Sequence, residues 1–215
     1  TIHTDGKDSP QAMAVAARST GIGEVLFSEH IRHSSTYYPD FVTEIRGIQI
    51  PGLSIKVGVE TKVLNIDGHL DCSIEIAELT DGILGSVHSP PAIGDGTIAS
   101  WSLLTPKEAV DLEFHLAMAI VTKSRAHVLA HPMGMVVTRF QLQPLDQLAE
   151  LARACAEYGK AFELNTRYCS DPVAWTQIVR EFDCKVSFGS DAHRAADVGS
   201  AWHLFYNRRD GRSKN

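Results

Sequence analysis

The chain has 215 residues, with 20 Lys plus Arg against 26 Asp plus Glu and a formal net charge of −6. At 44% hydrophobic and 21% charged it has an ordinary globular composition, long enough to bury one full core as a single domain over 1–215. The acidic balance argues against a general nucleic-acid binder, which carries a basic stripe, and no apolar run approaches a membrane span.

Short β-branched runs alternate with amphipathic stretches. Ser9-Pro10 opens a first helix, a capping side chain standing before a proline at the first helical position. Strands are predicted over 24–28, 55–60 and 83–88. Between the first two, 31–51 reads as a long loop with Arg32, His33, Tyr37 and Tyr38; after the third, 89–104 reads as another, with Pro90, Pro91 and Trp101. Thr105-Pro106 opens a helix and Glu108 completes a capping box, followed by a strand over 127–131. A helix near 145–158 carries Leu145, Leu148, Ala152 and Cys155 on one face and can end at Gly159. A strand over 161–165, a helix opened by Asp171-Pro172 and a strand over 185–190 complete the alternation. The tail, about 204–215, is basic and predicted to fray, with Arg208, Arg209, Arg212 and Lys214.

Strands this apolar and continuous suit a parallel sheet covered on both faces, and the alternation gives an α/β fold. No GxGxxG or Walker loop follows any strand, which favours a barrel over a nucleotide-binding open sheet. Polar residues point the same way. Glu60, His88 and His131 end their predicted strands, while His30 and Asp191 follow theirs closely. A β/α barrel gathers all such ends at one mouth, where active sites are built. The 10 histidines are about twice ordinary usage, and they form no tag-like run. His3, Asp8, His30, Glu60, His88, His131, Asp191 and His193 are therefore the candidate metal ligands, and such imidazoles and carboxylates suit Zn, Mn or Fe. The four cysteines show no CxxC spacing and fit reduced thiols in a cytoplasm.

Taken in order, His3-Thr4 with Asp8, Ser28-Glu29-His30, Gly58-Val59-Glu60, Ser86-Val87-His88, His131-Pro132 and Ser190-Asp191-Ala192-His193 resemble the motifs of the polymerase-and-histidinol-phosphatase (PHP) superfamily. The resemblance runs from residue 1 to about Gly199 and is closest to the histidinol-phosphatase-like branch. It implies a distorted (β/α)7 TIM-like barrel with two or three divalent metal ions. It also implies that His3, Glu60 and Asp191 hold a first ion, that Glu60 bridges to a second with His88 and His131, and that Asp8, His30 and His193 hold a third. The family's first motif is His-x-His, and Thr1 fills the first slot here. The strand carrying that motif is expected to lie largely before Thr1.

The resulting expectation is a phosphoesterase acting on a small-molecule phosphomonoester of the histidinol-phosphate kind, by in-line attack of a metal-bound hydroxide on phosphorus. Glu60, Asp191 and His193 are its candidate catalytic residues. Arg167, Arg194, Lys7 and His33 are candidate substrate-binding residues, and Glu163 and Asn165 are candidates to orient the ligand histidines. Two alternatives remain: a PHP-type phosphodiesterase or nuclease acting on oligonucleotide ends, and a catalytically lapsed metal-binding scaffold module. An amidohydrolase-type barrel lacks its bridging lysine here. His69, His115, His127 and His203 read as structural.

Overall fold

The computed structural model describes residues 1–91, 100–169 and 171–206. The middle of the expected loop over 89–104 and the cations of the expected tail lie outside these residues.

Six parallel strands form one sheet, hydrogen-bonded in chain order: β1 (Glu24–His30), β2 (Ser54–Lys62), β3 (Gly82–Ser86), β4 (Val128–Leu129), β5 (Ala161–Asn165) and β6 (Lys185–Gly189). A doubly wound sheet reverses its order at a switch point, where ligands bind. This order has no reversal, so successive crossovers step the same way and the sheet curls into a half-barrel. All strands then end towards one mouth. β4 is short, but the His127 N–H to Ile83 oxygen bond (2.8 Å) and the Ala130 N–H to Gly85 oxygen bond (2.9 Å) carry its pairing past both ends.

The helices are α1 (Pro10–Ser19), α2 (Tyr38–Gly47), α3 (Ile74–Leu79), α4 (Pro106–Lys123), α5 (Gly134–Phe140), α6 (Leu145–Glu157) and α7 (Pro172–Glu181). The three proline-led starts behave as their chemistry dictates. Ser9 accepts from the Ala12 N–H, Asp171 from those of Val173 and Ala174, and Thr105 with Glu108 closes the capping box. α6 buries Leu148, Leu151, Ala152 and Cys155, while Leu145 at its start stays 39% exposed. Gly159, at φ +69, turns the chain out of it.

Three helices depart from the predicted pattern. α2 lies inside the stretch expected to be a loop, burying Tyr38, Phe41, Val42 and Ile45, so Tyr38 is core rather than a mouth residue. Its start is led by Tyr37, which makes no side-chain cap, so only Pro39 and Asp40 in the first turn mark it in the sequence. α3 is capped by Ser73, and α5 follows Met133 in a left-handed conformation. Trp101 also goes into the core, its indole N–H donating to the His88 carbonyl at 3.0 Å. The start of the expected frayed tail instead belongs to a π-helical turn, Trp202–Tyr206, with Phe205 buried.

The floor of the mouth is set by small residues facing a large one. A methyl on Gly58 would come within 2.8 Å of the Leu26 side chain, and one on Gly82 within 3.2 Å, so Leu26 fills the layer beneath Glu60 and Leu84. Among the described residues no helix is long and apolar enough to cross a membrane.

Candidate metal centre

Strand register brings the first group together. His30 at the end of β1 lies beside Glu60 on β2, and Glu60 beside Leu84 on β3. His88 follows β3 by two residues and His131 follows β4 by two, the latter at φ +26. Glu60 Oε1 sits 2.9 Å from His88 Nε2 and 2.9 Å from His131 Nε2, and the two ring nitrogens are 3.3 Å apart. Oε2 of the same carboxylate lies 3.7 Å from His30 Nδ1. Burial opposes the charge on Glu60, but the hydrogen bonds and charges of His131 and His88 hold its carboxyl well below the usual range. Burial would also neutralise His131, yet Glu60, helped by Glu163 and Asp191, pushes it up to about 9.

A second group lies alongside. Asp5 Oδ2 is 3.1 Å from His193 Nε2 and 3.7 Å from His30 Nε2. His193 Nδ1 lies 2.8 Å from the Asp191 carbonyl, which can only accept, so in the neutral ring Nδ1 carries the proton and Nε2 presents its lone pair. Asp5 is held below the ordinary carboxylate value, burial opposing and His30 and His193 prevailing. In both sets, Asp5 with His30 and His193, and Glu60 with His30 and His88, one donor atom from each residue falls within 4.8 Å of the others. His30 belongs to both. A neutral imidazole has one lone pair, so it can serve only one of them at a time.

This donor set fits a divalent ion. Two imidazole nitrogens and a carboxylate oxygen converge so closely that, without a cation between them, a proton on His131 must relieve the crowding.

Two buried carboxylates fix the segment that carries His131. Glu163 on β5 accepts the His131 backbone N–H at 2.5 Å, and Glu113 on α4 accepts those of Met135 and Val136 at 3.0 and 2.7 Å. Burial raises each to about 7, against the lowering effect of these bonds. Asn165 instead accepts from the Arg167 backbone N–H at 2.9 Å. Glu163 has room only because Gly189, two residues beyond its β6 partner Ser187, carries no side chain: a methyl on Gly189 would lie 1.8 Å from Glu163 Oε1. Gly189→Ala should therefore drive Glu163 off His131 and cost about 2–3 kcal/mol. Calorimetric unfolding checks the loss, which Glu163→Ala in the same chain should partly restore.

Other expected site residues lie elsewhere. His3 does not reach either cluster: its Nε2 pairs with Glu44 on α2 at 2.6 Å, and its ring packs on Tyr37 and Phe41. Thr1 and Thr4 turn their hydroxyls onto the buried Glu29 instead. Asp8 accepts the Ala195 N–H at 2.7 Å, capping the 3-10 turn Ala195–Asp197, a place that favours an anion, and Asp5 stands beside His193 where Asp8 was expected. Asp191, at φ +46, by contrast stays at the mouth, lining the cavity over both clusters and accepting from Arg167 Nη1 at 3.0 Å. Arg194, Lys7 and His33 are exposed and do not line the mouth cavity; Lys7 and His33 are anchored beside it only through their backbone N–H groups, which donate to the His193 carbonyl and to Asp71.

The cavity over the clusters measures about 700 Å³ and brings in Arg32, from the stretch expected to be a long loop, together with Lys62 and Tyr168, which the sequence did not single out. Tyr168 lies 4.7 Å from the His131 ring, with the Arg167 guanidinium 5.9 Å from its centre. Lys62 was within reach of simple alternation, two residues beyond Glu60 on β2 and so on the same face.

A family model described as PHP-associated matches residues 176–214. A probable phosphatase of Pectobacterium atrosepticum is 30% identical over 164 residues, covering 72% of this chain and 58% of that protein. The probable phosphatase YcdX of Shigella dysenteriae is 24% identical over 152 residues, covering 70% of this chain and 56% of that protein. The chain thus spans a little under three fifths of the length of these curated relatives. Among solved structures, an amidohydrolase aligns over 92% of this chain and 62% of its own at 11% identity, with a TM-score of 0.38. The phosphatase relatives over most of its length and the PHP-associated match at its end support membership of the PHP superfamily.

Proposed function

We propose that this chain forms the metal-binding barrel of a phosphoesterase that hydrolyses a small phosphomonoester. The observation that carries this reading is the single Glu60 carboxylate shared by His88, His131 and His30, with the Asp5, His30 and His193 group beside it and cationic side chains around the cavity. Glu60, His88 and His131 would hold one divalent ion, and His193 with Asp5 or His30 a second; Zn, Mn or Fe suits these donors. When bound, such ions supply Lewis acidity towards a phosphoryl oxygen and lower the pKa of water towards neutrality.

The chain's own residues do the rest. Glu163 and Glu113 hold the His131 segment at its two ends, through the His131 N–H and through those of Met135 and Val136, so its ring nitrogen stays aimed at Glu60. Arg167 offers a guanidinium fork at the mouth, restrained by Asp191 and the Tyr168 ring, suited to phosphoryl oxygens. His193, which burial would neutralise but Asp191 and Asp5 raise above its ordinary value, is placed to hold a proton at Nε2 whenever that atom is not a ligand. A complete (β/α)7 barrel is part of the same reading. A cavity of about 610 Å³ lies between β1 and β6, where a seventh strand would pair with both.

The test is metal analysis of the purified protein followed by phosphate release from histidinol phosphate, nitrophenyl phosphate and an oligonucleotide. Bound transition metal with monoester turnover is expected. Turnover confined to the oligonucleotide would favour the nuclease, and a metal-bound protein without turnover would leave the lapsed scaffold.

A further inference from the structure

We propose that the mouth selects phosphoesters whose leaving group carries a second anionic group, a carboxylate or another phosphate, held by Lys62 and Arg32. The proposal deepens the phosphoesterase reading and takes its chemistry from it. Lys62 lies two residues beyond Glu60 on β2, so its stem rises from the same face towards solvent above the first cluster. Its ion-pair partner among the described residues, Asp71, is 4.0 Å away, the outer limit of such a contact, and Asp71 also accepts the His33 N–H through its other oxygen at 2.9 Å. The ammonium keeps donors to spare.

Arg32 stands on the adjacent wall, just after β1. Its backbone is pinned by reciprocal bonds with Ser35: the Arg32 N–H donates to Ser35 Oγ at 2.9 Å, and the Ser35 N–H to the Arg32 oxygen at 2.9 Å. The root of the side chain is therefore fixed, while its guanidinium makes no ion pair among the described residues. Across the cavity, Arg167 is already engaged by Asp191 at 3.0 Å. A phosphoryl group at the histidine clusters would have that arginine and the metal ions to offset its charge. Two further cations on the β1–β2 side, one paired only at 4.0 Å and the other without an ion pair among the described residues, are explained by a substrate that brings a second negative group. They would also repel an ammonium-bearing leaving group such as histidinol.

The experiment compares matched pairs on the metal-loaded protein. For turnover, 3-phosphoglycerate is set against glycerol 3-phosphate; for binding without turnover, 3-phosphonopropionate is set against propylphosphonate. The wild type should favour the carboxylated member of each pair by about tenfold, a charge-assisted contact weakened by exposure. Lys62→Ala and Arg32→Ala should each erase most of that preference while leaving the member without the carboxylate within about twofold. Arg153→Ala, in an exposed pair on α6, should change neither. No preference in the wild type, or equal losses on both members of a pair, would overturn the proposal, the latter assigning Lys62 and Arg32 to the phosphoryl group itself. If no ester is hydrolysed but the phosphonate preference persists and depends on Lys62 and Arg32, the phosphoesterase reading falls and the anion site stands.

Discussion

Glu60→Gln should lower phosphate release by at least about a thousandfold, some 4 kcal/mol of transition-state stabilisation, with a comparable loss of bound metal. Glutamine keeps the shape and one acceptor oxygen but removes the charge that draws two imidazoles and His30 to one point. Stability should change far less. In the variant, His131 loses the carboxylate that raised it to about 9 and goes neutral, so no unpaired cation is left in the core. The melting temperature of the metal-free variant should therefore stay within about 4 °C of the metal-free wild type, a difference of 1 kcal/mol or so. His115→Gln, exposed on α4, serves as the comparison and should keep activity within about twofold. Equal losses in the two variants would mean that the clusters are not the active site.

The mouth was legible in the sequence because fold class alone decides where strand ends go. Once the strands alternate with helices, Glu60, His88 and His131 must share a face, whatever the crossovers look like. The proline-led helix starts were legible for a similar reason: a capping oxygen and a ring that fixes φ act within one turn of chain. What was not legible depends on distant contacts. α2 forms because Tyr38, Phe41, Val42 and Ile45 find a core to bury in, with no capping side chain to announce it. Asp5 and Asp8 sit three residues apart in a polar stretch. Which one faces His193 is decided by the Ala195 N–H that captures Asp8, a group 187 residues away. His3 was drawn from motif order, yet Glu44, hidden in the unrecognised α2, takes its ring.

Chelation should abolish turnover, and it should also change how the fold responds to pH. In the stripped protein His131 titrates near 9, above its unfolded value of 6.5. A folded-state value raised in this way gives stability that is fully present below pH 6.5 and is lost as pH climbs through 9. Glu113 and Glu163, raised by burial to about 7 from 4.5, act in the same direction: the folded form binds more protons, so stability falls as pH rises from 4.5 through 7. Glu60, held well below 4.5, contributes at every pH above that and adds no slope near neutrality. The stripped protein should thus grow steadily less stable from pH 5 to 9.

Metal reverses the dependence, because an ion can take the His131 and His88 nitrogens only when they are unprotonated, and its affinity rises with pH. At a hundredfold excess over Kd the ion contributes about 2.7 kcal/mol, or roughly 5–10 °C for a chain of this size. Melting temperatures measured with and without divalent ion should therefore separate more widely at pH 9 than at pH 6. A constant gap would place the bound ion away from His131, and Glu60→Gln should close the gap at both.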